Sequence, residues 1–214
     1  MTVTHHPDAS TLMSFASGTL PAALAAAVAG HLSLCPVCRR EARLLDAIGA
    51  ATLRELPGAP LERSPPDPRE LPAPDTAPEV STGPADGEVP FPLRKIIGPR
   101  LDDRTWRFQA PGIYQHLIRF PNPSDGILRL IKASPGAAIP EHGHQGTELT
   151  LVLRGAYRDR LGAFHRGDMA DLDDAVDHTP IADPGAGCIC LVASEARPVF
   201  RGLLPRLLRP FLRA

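Results

Sequence analysis

The side chains best able to do chemistry in this chain are its histidines and cysteines, and they fall into two groups. One is His31-x3-Cys35-x2-Cys38, with the pair His5-His6 upstream; the other is His142-x-His144-x3-Glu148, with His178 thirty residues further on. Cysteines three apart at the start of a helix put both sulfurs on one side of a turn, where free backbone N–H groups and the helix dipole favour thiolates. His31 converges on the same turn, and zinc, which takes four ligands tetrahedrally, needs one more. His6 is the expected fourth ligand because it lies closer to the first helix, with His5 as the alternative. In the second group His142 and His144, two apart on an extended segment, face the same side. Glu148 returns to that point after a tight turn at Gly146, and a later strand brings His178. Three imidazoles and one carboxylate suit zinc, iron, manganese or nickel.

The first group must be carried by helices. Asp8 is placed to cap a first helix running through Ser14 and Phe15 and stopping at Gly18. Pro21 suits the first turn of a second helix, Ala22 to Leu34, with an Ala/Leu/Val face. A third helix starts at Pro36 and runs through Leu44, Leu45, Ile48 and Leu53. Helical periodicity alone assigns that last stripe either to the module's own core or to an interface. A module of about 55 residues has a small core, which a bound metal would staple.

The second group must be carried by strands. From Leu93 onward, short apolar runs alternate with Gly, Pro and Asp, and Ile113 to Phe120, Ile127 to Ala133, Leu149 to Arg154 and Cys188 to Ala193 read as strands of an antiparallel sandwich or barrel. Between the two parts lie eleven prolines from Glu55 to Pro92 with few aliphatic residues. That composition predicts an extended, partly stiff linker that holds two domains apart while letting them reorient. The expected division is residues 1–55, helical; 56–92, linker; 93–200, barrel; and 201–214, a basic and apolar tail.

Composition excludes several classes. The chain has 214 residues, 43% hydrophobic and 22% charged, with a net charge of −1. By segment the basic and acidic counts are four and four in residues 1–55, two and seven in 56–92, and seventeen and thirteen in 93–214. No part has the concentrated basic face of a nucleic-acid binder, so direct DNA or RNA contact is not expected. The longest apolar stretch, Leu20 to Gly30, is too short to span a bilayer and lacks the context of a signal peptide, which predicts a cytoplasmic protein. The tight CxxC and CxC pairs read as reduced thiols rather than a disulfide framework.

The pattern from Gly136 to Gly155, Gly-x5-His-x-His-x3-Glu-x6-Gly, resembles the first motif of the cupin family, and His178 stands where the second motif places its histidine. Gly162-x2-His165-x-Gly167-Asp168 is less regular, with histidine where many cupins have proline. Together with the His/Cys cluster and stretches such as Thr4-His5-His6, Ser17-Gly18-Thr19-Leu20, His31-Leu32-Ser33-Leu34-Cys35 and Val176-Asp177-His178-Thr179-Pro180, the chain resembles the ChrR-type anti-sigma factors. That resemblance implies an α plus all-β protein of two domains, a three-helix zinc-binding anti-sigma bundle followed by a cupin jelly-roll barrel. It implies a regulator whose helical domain binds an extracytoplasmic-function sigma factor and whose cupin domain is required for the response to singlet oxygen and related stress. Carried over by motif position, His6, His31, Cys35 and Cys38 hold a structural zinc, and His142, His144, Glu148 and His178 hold the cupin metal. One departure is that Pro57, Pro60, Pro65, Pro66 and Pro68 break the fourth helix by which family members add to the sigma-binding surface. The competing reading is a metal-dependent dioxygenase or isomerase with an accessory zinc domain.

The remaining reactive residues have plainer expectations. Cys188 and Cys190 share one face of an apolar strand and read as small buried thiols, with a redox pair as the other reading. His116 and His165 are expected exposed, and Trp106 and Phe108 in the core. In the tail, Pro205 and Pro210 interrupt any membrane-binding helix, so packing along the barrel or across a dimer contact is expected.

Overall fold

In a computed structural model, residues 2–60, 63–67, 69–70 and 87–200 are described. Three helices carry the first part: α1 (Ala9–Ala16), α2 (Ala22–Leu34) and α3 (Pro36–Glu55). Asp8 occupies the N-cap of α1 without a side-chain capping bond. Its backbone N–H instead donates to Asp171 Oδ2 at 2.9 Å, so the start of α1 is fixed by the barrel rather than by its own cap. Pro21 precedes α2, at the N-cap, and the Cys35 sulfur caps α3 by accepting from the Cys38 N–H. Leu56 ends α3 in an extended conformation. Among the described residues between it and Gly87 there is no helix, as the prolines require.

After a short helix, α4 (Arg94–Ile97), come ten strands: β1 (Arg107–Ala110), β2 (Ile113–Ile118), β3 (Ile127–Ala133), β4 (His142–Gly143), β5 (Glu148–Asp159), β6 (Gly162–His165), β7 (Met169–Leu172), β8 (Ile181–Ala182), β9 (Cys188–Ser194) and β10 (Val199–Phe200). The main sheet runs β1-β2-β3-β9-β5-β6, with β7 and β8 also on β5, and β10 pairs β4. Every pairing is antiparallel. The long strand β5 curves around this barrel, and Gly155 lets it pass: at φ +71° an added Cβ would collide with the Gly187 carbonyl oxygen.

Side-chain alternation sorts the three central strands onto two faces. Leu128 and Leu130, Leu149, Leu151 and Leu153, and Ile189, Leu191 and Ala193 point out of the barrel. They form one core with Leu12, Ala23, Leu24, Ala27 and Val28 of the helices and with Leu93, Ile97 and Leu101 of the chain entering the barrel. The helical part is therefore docked on the outside of the sheet, not held away from it. An α2 that is apolar all round has to be covered on every side, and neither α1 nor α3 is long enough in contact to do it. Gly30 marks the closest approach, where an added Cβ would stand 2.8 Å from Leu93 Cδ1 and 2.9 Å from Leu151 Cδ2. Arg154 holds the incoming chain by ion pairs to Glu88 and to Asp102. Most of the proline-rich segment, and the tail from residue 201, lie outside the described residues.

Two smaller expectations change. Phe108 is 63% exposed rather than in the core, because β1 is the outer strand of the sheet, while Trp106 is partly buried with the Lys132 ammonium 5.6 Å above its ring. His116 is half-buried, its Nδ1 donating to the Thr105 carbonyl at 3.0 Å. His165 is exposed at the end of β6.

Candidate metal centres

His6, His31, Cys35 and Cys38 converge in the structure, each offering one donor atom, with all four donors within 4.8 Å of one another. Cys35 ends α2 and Cys38 lies on the first turn of α3, so the break between the two helices sets both sulfurs. His6 Nδ1 stands 3.5 Å from Cys35 Sγ and 3.3 Å from Cys38 Sγ. His31 is fully buried, and its Nδ1 lies 2.9 Å from the Gly167 carbonyl oxygen. A carbonyl only accepts, so Nδ1 carries the proton and Nε2 is bare; Nε2 has no hydrogen-bond partner. Burial pulls the His31 imidazole down to about 4. It pushes the Cys38 thiol up to about 12, with Cys35 adding to the effect. A bare buried imidazole aimed at two sulfurs and a second imidazole is a donor set that fits zinc, whose charge would reverse the bias against thiolate. His5 lies outside this group: its ring is 4.2 Å from that of Phe164 and its Nδ1 is 3.6 Å from Asp168.

His142, His144, Glu148 and His178 converge in the same way, and all four are buried. His142 sits in β4 and exchanges backbone hydrogen bonds with His178, which brings the late histidine back to the early pair. Gly146, at φ +82°, makes the turn that returns the chain to Glu148 at the start of β5. His142 Nδ1 donates to the Pro140 carbonyl at 3.0 Å and His178 Nδ1 donates to Asp159 Oδ2 at 2.8 Å. With Nδ1 occupied as donor in each ring, the Nε2 atoms are the positions left to bind a metal, and they stand 3.2 Å apart. Two facing lone pairs repel unless a cation lies between them. Burial, the largest influence, pushes the Glu148 carboxyl up, but His144 and the Arg129 guanidinium 3.1 Å away outweigh it and hold the group at about 2. Burial lowers His142 to about 4. An ionised Glu148 carboxylate and a neutral His142 imidazole are the protonation states that a divalent metal needs, and the residues fit one.

Asp159 and Arg129 are the functional residues that sequence reasoning missed. Asp159 orients His178, as the carboxylate of a carboxylate–histidine–metal arrangement would if a metal were held there, and Arg129 steadies Glu148. Asp159 lies at the far end of the same strand as Glu148 and shares no motif spacing with the ligands. His142, Glu148 and His178 line a cavity of about 1220 Å³ inside the barrel, whose wall also includes Ile131, Tyr157, Val192, Cys188 and Cys190. The two cysteine sulfurs are 3.2 Å apart and both residues are buried. The hydrogen bond with Cys188, together with burial, pushes the Cys190 thiol well above the usual range, so Cys190 sits as a neutral thiol.

Residues 96–197 match the family described as the ChrR cupin-like domain. The chain is 40% identical to the Anti-sigma-E factor ChrR of Cereibacter sphaeroides over 221 aligned residues, which take in 100% of both chains. It is also similar to a chain in the crystal structure of Rhodobacter sphaeroides SigE in complex with the anti-sigma ChrR, with a TM-score of 0.77 and 36% identity over 90% of this chain and 99% of that one. With both modules, the helices and the cupin barrel, inside an end-to-end match at this identity, the chain belongs to the ChrR family of anti-sigma factors.

Proposed function

We propose that this protein binds an extracytoplasmic-function sigma factor through its helical module, withholds it from RNA polymerase, and releases it under oxidative stress such as singlet oxygen. The observation that carries the reading is the 40% identity to an anti-sigma factor running the whole length of both chains. It supports a regulator over a metal-dependent oxygenase or isomerase. The surface of α3 supports it further. Val37, Leu44 and Ile48 fall on one stripe of the helix and are 48%, 61% and 56% exposed, while only Cys38 and Ala42 of α3 are buried. Leu45 turns inward against the core, and Leu53 is exposed on the other side. An apolar stripe that covers nothing among the described residues supports a docking surface for a partner.

In this reading zinc at His6, His31, Cys35 and Cys38 is structural and fixes the angle between α2 and α3. The divalent metal at His142, His144, Glu148 and His178 serves sensing within the barrel. The test is a titration of an extracytoplasmic-function sigma factor from the same organism with the intact chain and with Leu44→Asp/Ile48→Asp. Exposed positions leave folding within about 0.5 kcal/mol, whereas the affinity is expected to fall about 100-fold, as for two central interface residues. Undiminished binding removes α3 from the contact.

A further inference from the structure

The His/Cys centre is not built by the helices alone. Between β6 and β7 the barrel makes a tight turn at Arg166, Gly167 and Asp168, and this turn bonds one of the four ligands directly and the residue next to another. Its Gly167 carbonyl takes the His31 Nδ1 proton at 2.9 Å and so aims Nε2 at the sulfurs. Gly167 itself has φ +94°, and an added Cβ would stand 2.9 Å from Val3 Cγ2, so the turn, the N-terminal arm and α2 meet here at closest approach. Asp168 is 1% exposed. Its Oδ1 accepts from the backbone N–H groups of Thr4 at 2.6 Å and His5 at 3.0 Å, while its Oδ2 accepts from the His165 N–H at 2.8 Å. The His5 carbonyl then accepts from the Met169 N–H at 3.1 Å. His5 is thus pinned at both ends of its backbone, and the next residue is His6.

We propose that the β6–β7 turn completes the His/Cys centre, with Asp168 acting as the positioning residue that delivers His6 and the Gly167 carbonyl aiming His31. The inference rests on the zinc reading of that centre. Cys35 and Cys38 are set by the helix break and need no help from the barrel. The two histidines are not: His6 lies on an arm with no secondary structure of its own, and a buried carboxylate satisfied by that arm's N–H groups is a strong anchor. Outer partners of this kind set ligand orientation, and their loss costs about 10- to 100-fold in metal affinity. Because coupling is reciprocal, an ion in the centre also strengthens the docking of the arm on the barrel.

Cobalt(II) replaces zinc in the test, because only the thiolate-bearing centre gives an intense sulfur-to-cobalt charge-transfer band, and the full-length chain is titrated against a competing chelator. Asp168→Ala removes the anchor; Thr4→Pro removes one donor N–H while leaving every barrel residue unchanged. Both are expected to lose cobalt from the thiolate centre about tenfold more readily, with the thermal midpoint of Thr4→Pro close to the parent's. Parent-like retention in Thr4→Pro overturns the proposal, whatever Asp168→Ala does, since an effect of Asp168→Ala alone would then come from a damaged barrel. Absence of the band in the parent chain overturns the zinc reading itself, and this inference with it.

Discussion

The two centres use four donors each, but they are held in opposite ways. The His142, His144, Glu148 and His178 set is enclosed by one barrel, and three of its members have their own orienting partner: the Pro140 carbonyl, Asp159 and Arg129. The His6, His31, Cys35 and Cys38 set stands at a junction of arm, helix break and barrel turn, with His6 exposed and its Nδ1 facing the two sulfurs, while the His31 ring is aimed by the Gly167 carbonyl outside the set. A site whose ligands are already aimed can gain or lose an ion without reshaping its surroundings. A site whose ligands come from separate segments is itself the cross-link between them. On the proposed reading, the difference gives shape to the His/Cys centre and reactivity to the barrel centre.

That contrast can be broken first through the shared core. If the helices are docked on the sheet as one cooperative unit, Gly30→Val pushes against Leu93 and Leu151 and costs the whole chain about 2 kcal/mol, the usual range for overpacking. A single denaturant transition moving to lower concentration checks it. Two transitions, with only the first affected, would separate the modules again.

It can be sharpened by disturbing one centre at a time. Asp159→Asn leaves His178 without its ionised partner, and metal affinity at the barrel centre is expected to fall about tenfold. Chelator competition on the loaded chain reads this directly, while the cobalt–sulfur band of the other centre stays as it was.

A further effect is with pH, in chain stripped of metal. His31 and His142 both have folded values lowered from 6.5 to about 4, so the unfolded chain binds more protons between those limits. Their contribution is complete above about pH 6.5 and is lost as the pH falls towards 4. Glu148, lowered from 4.5 to about 2, extends the loss below that. The urea midpoint should therefore decline steadily from pH 7 to 4; a flat profile contradicts the burial of neutral imidazoles in both centres.

Both ligand sets were legible in the sequence because donor type and spacing are themselves the chemical signal: Cys-x2-Cys after a histidine, and His-x-His-x3-Glu on an extended run. His6 and His5 were not separable in the sequence, since adjacent residues on an arm differ in direction rather than in kind; the structure puts His6, not His5, beside the sulfurs. The docking of the helices was not legible, because an α2 apolar on every side reads the same whether it is covered by other helices or by a sheet. The proline-rich composition spoke for separation and carried no information about Leu93, Ile97 and Leu101, the residues just beyond it that enter the common core. Phe108 was misplaced for a related reason: its type suits a core, but its strand lies at the sheet's edge.

The division of labour between the centres comes down to the affinity for the sigma factor in two altered chains, Cys35→Ser/Cys38→Ser and His142→Ala/His178→Ala, measured by calorimetry beside the parent. The first is expected to lose binding by more than about 100-fold, because the angle between α2 and α3 goes with the zinc. The second is expected to bind within about threefold of the parent, since α3 and its stripe are untouched. Full binding by the cysteine variant, or its loss in the histidine variant alone, would show that the shape-holding role belongs to the other centre.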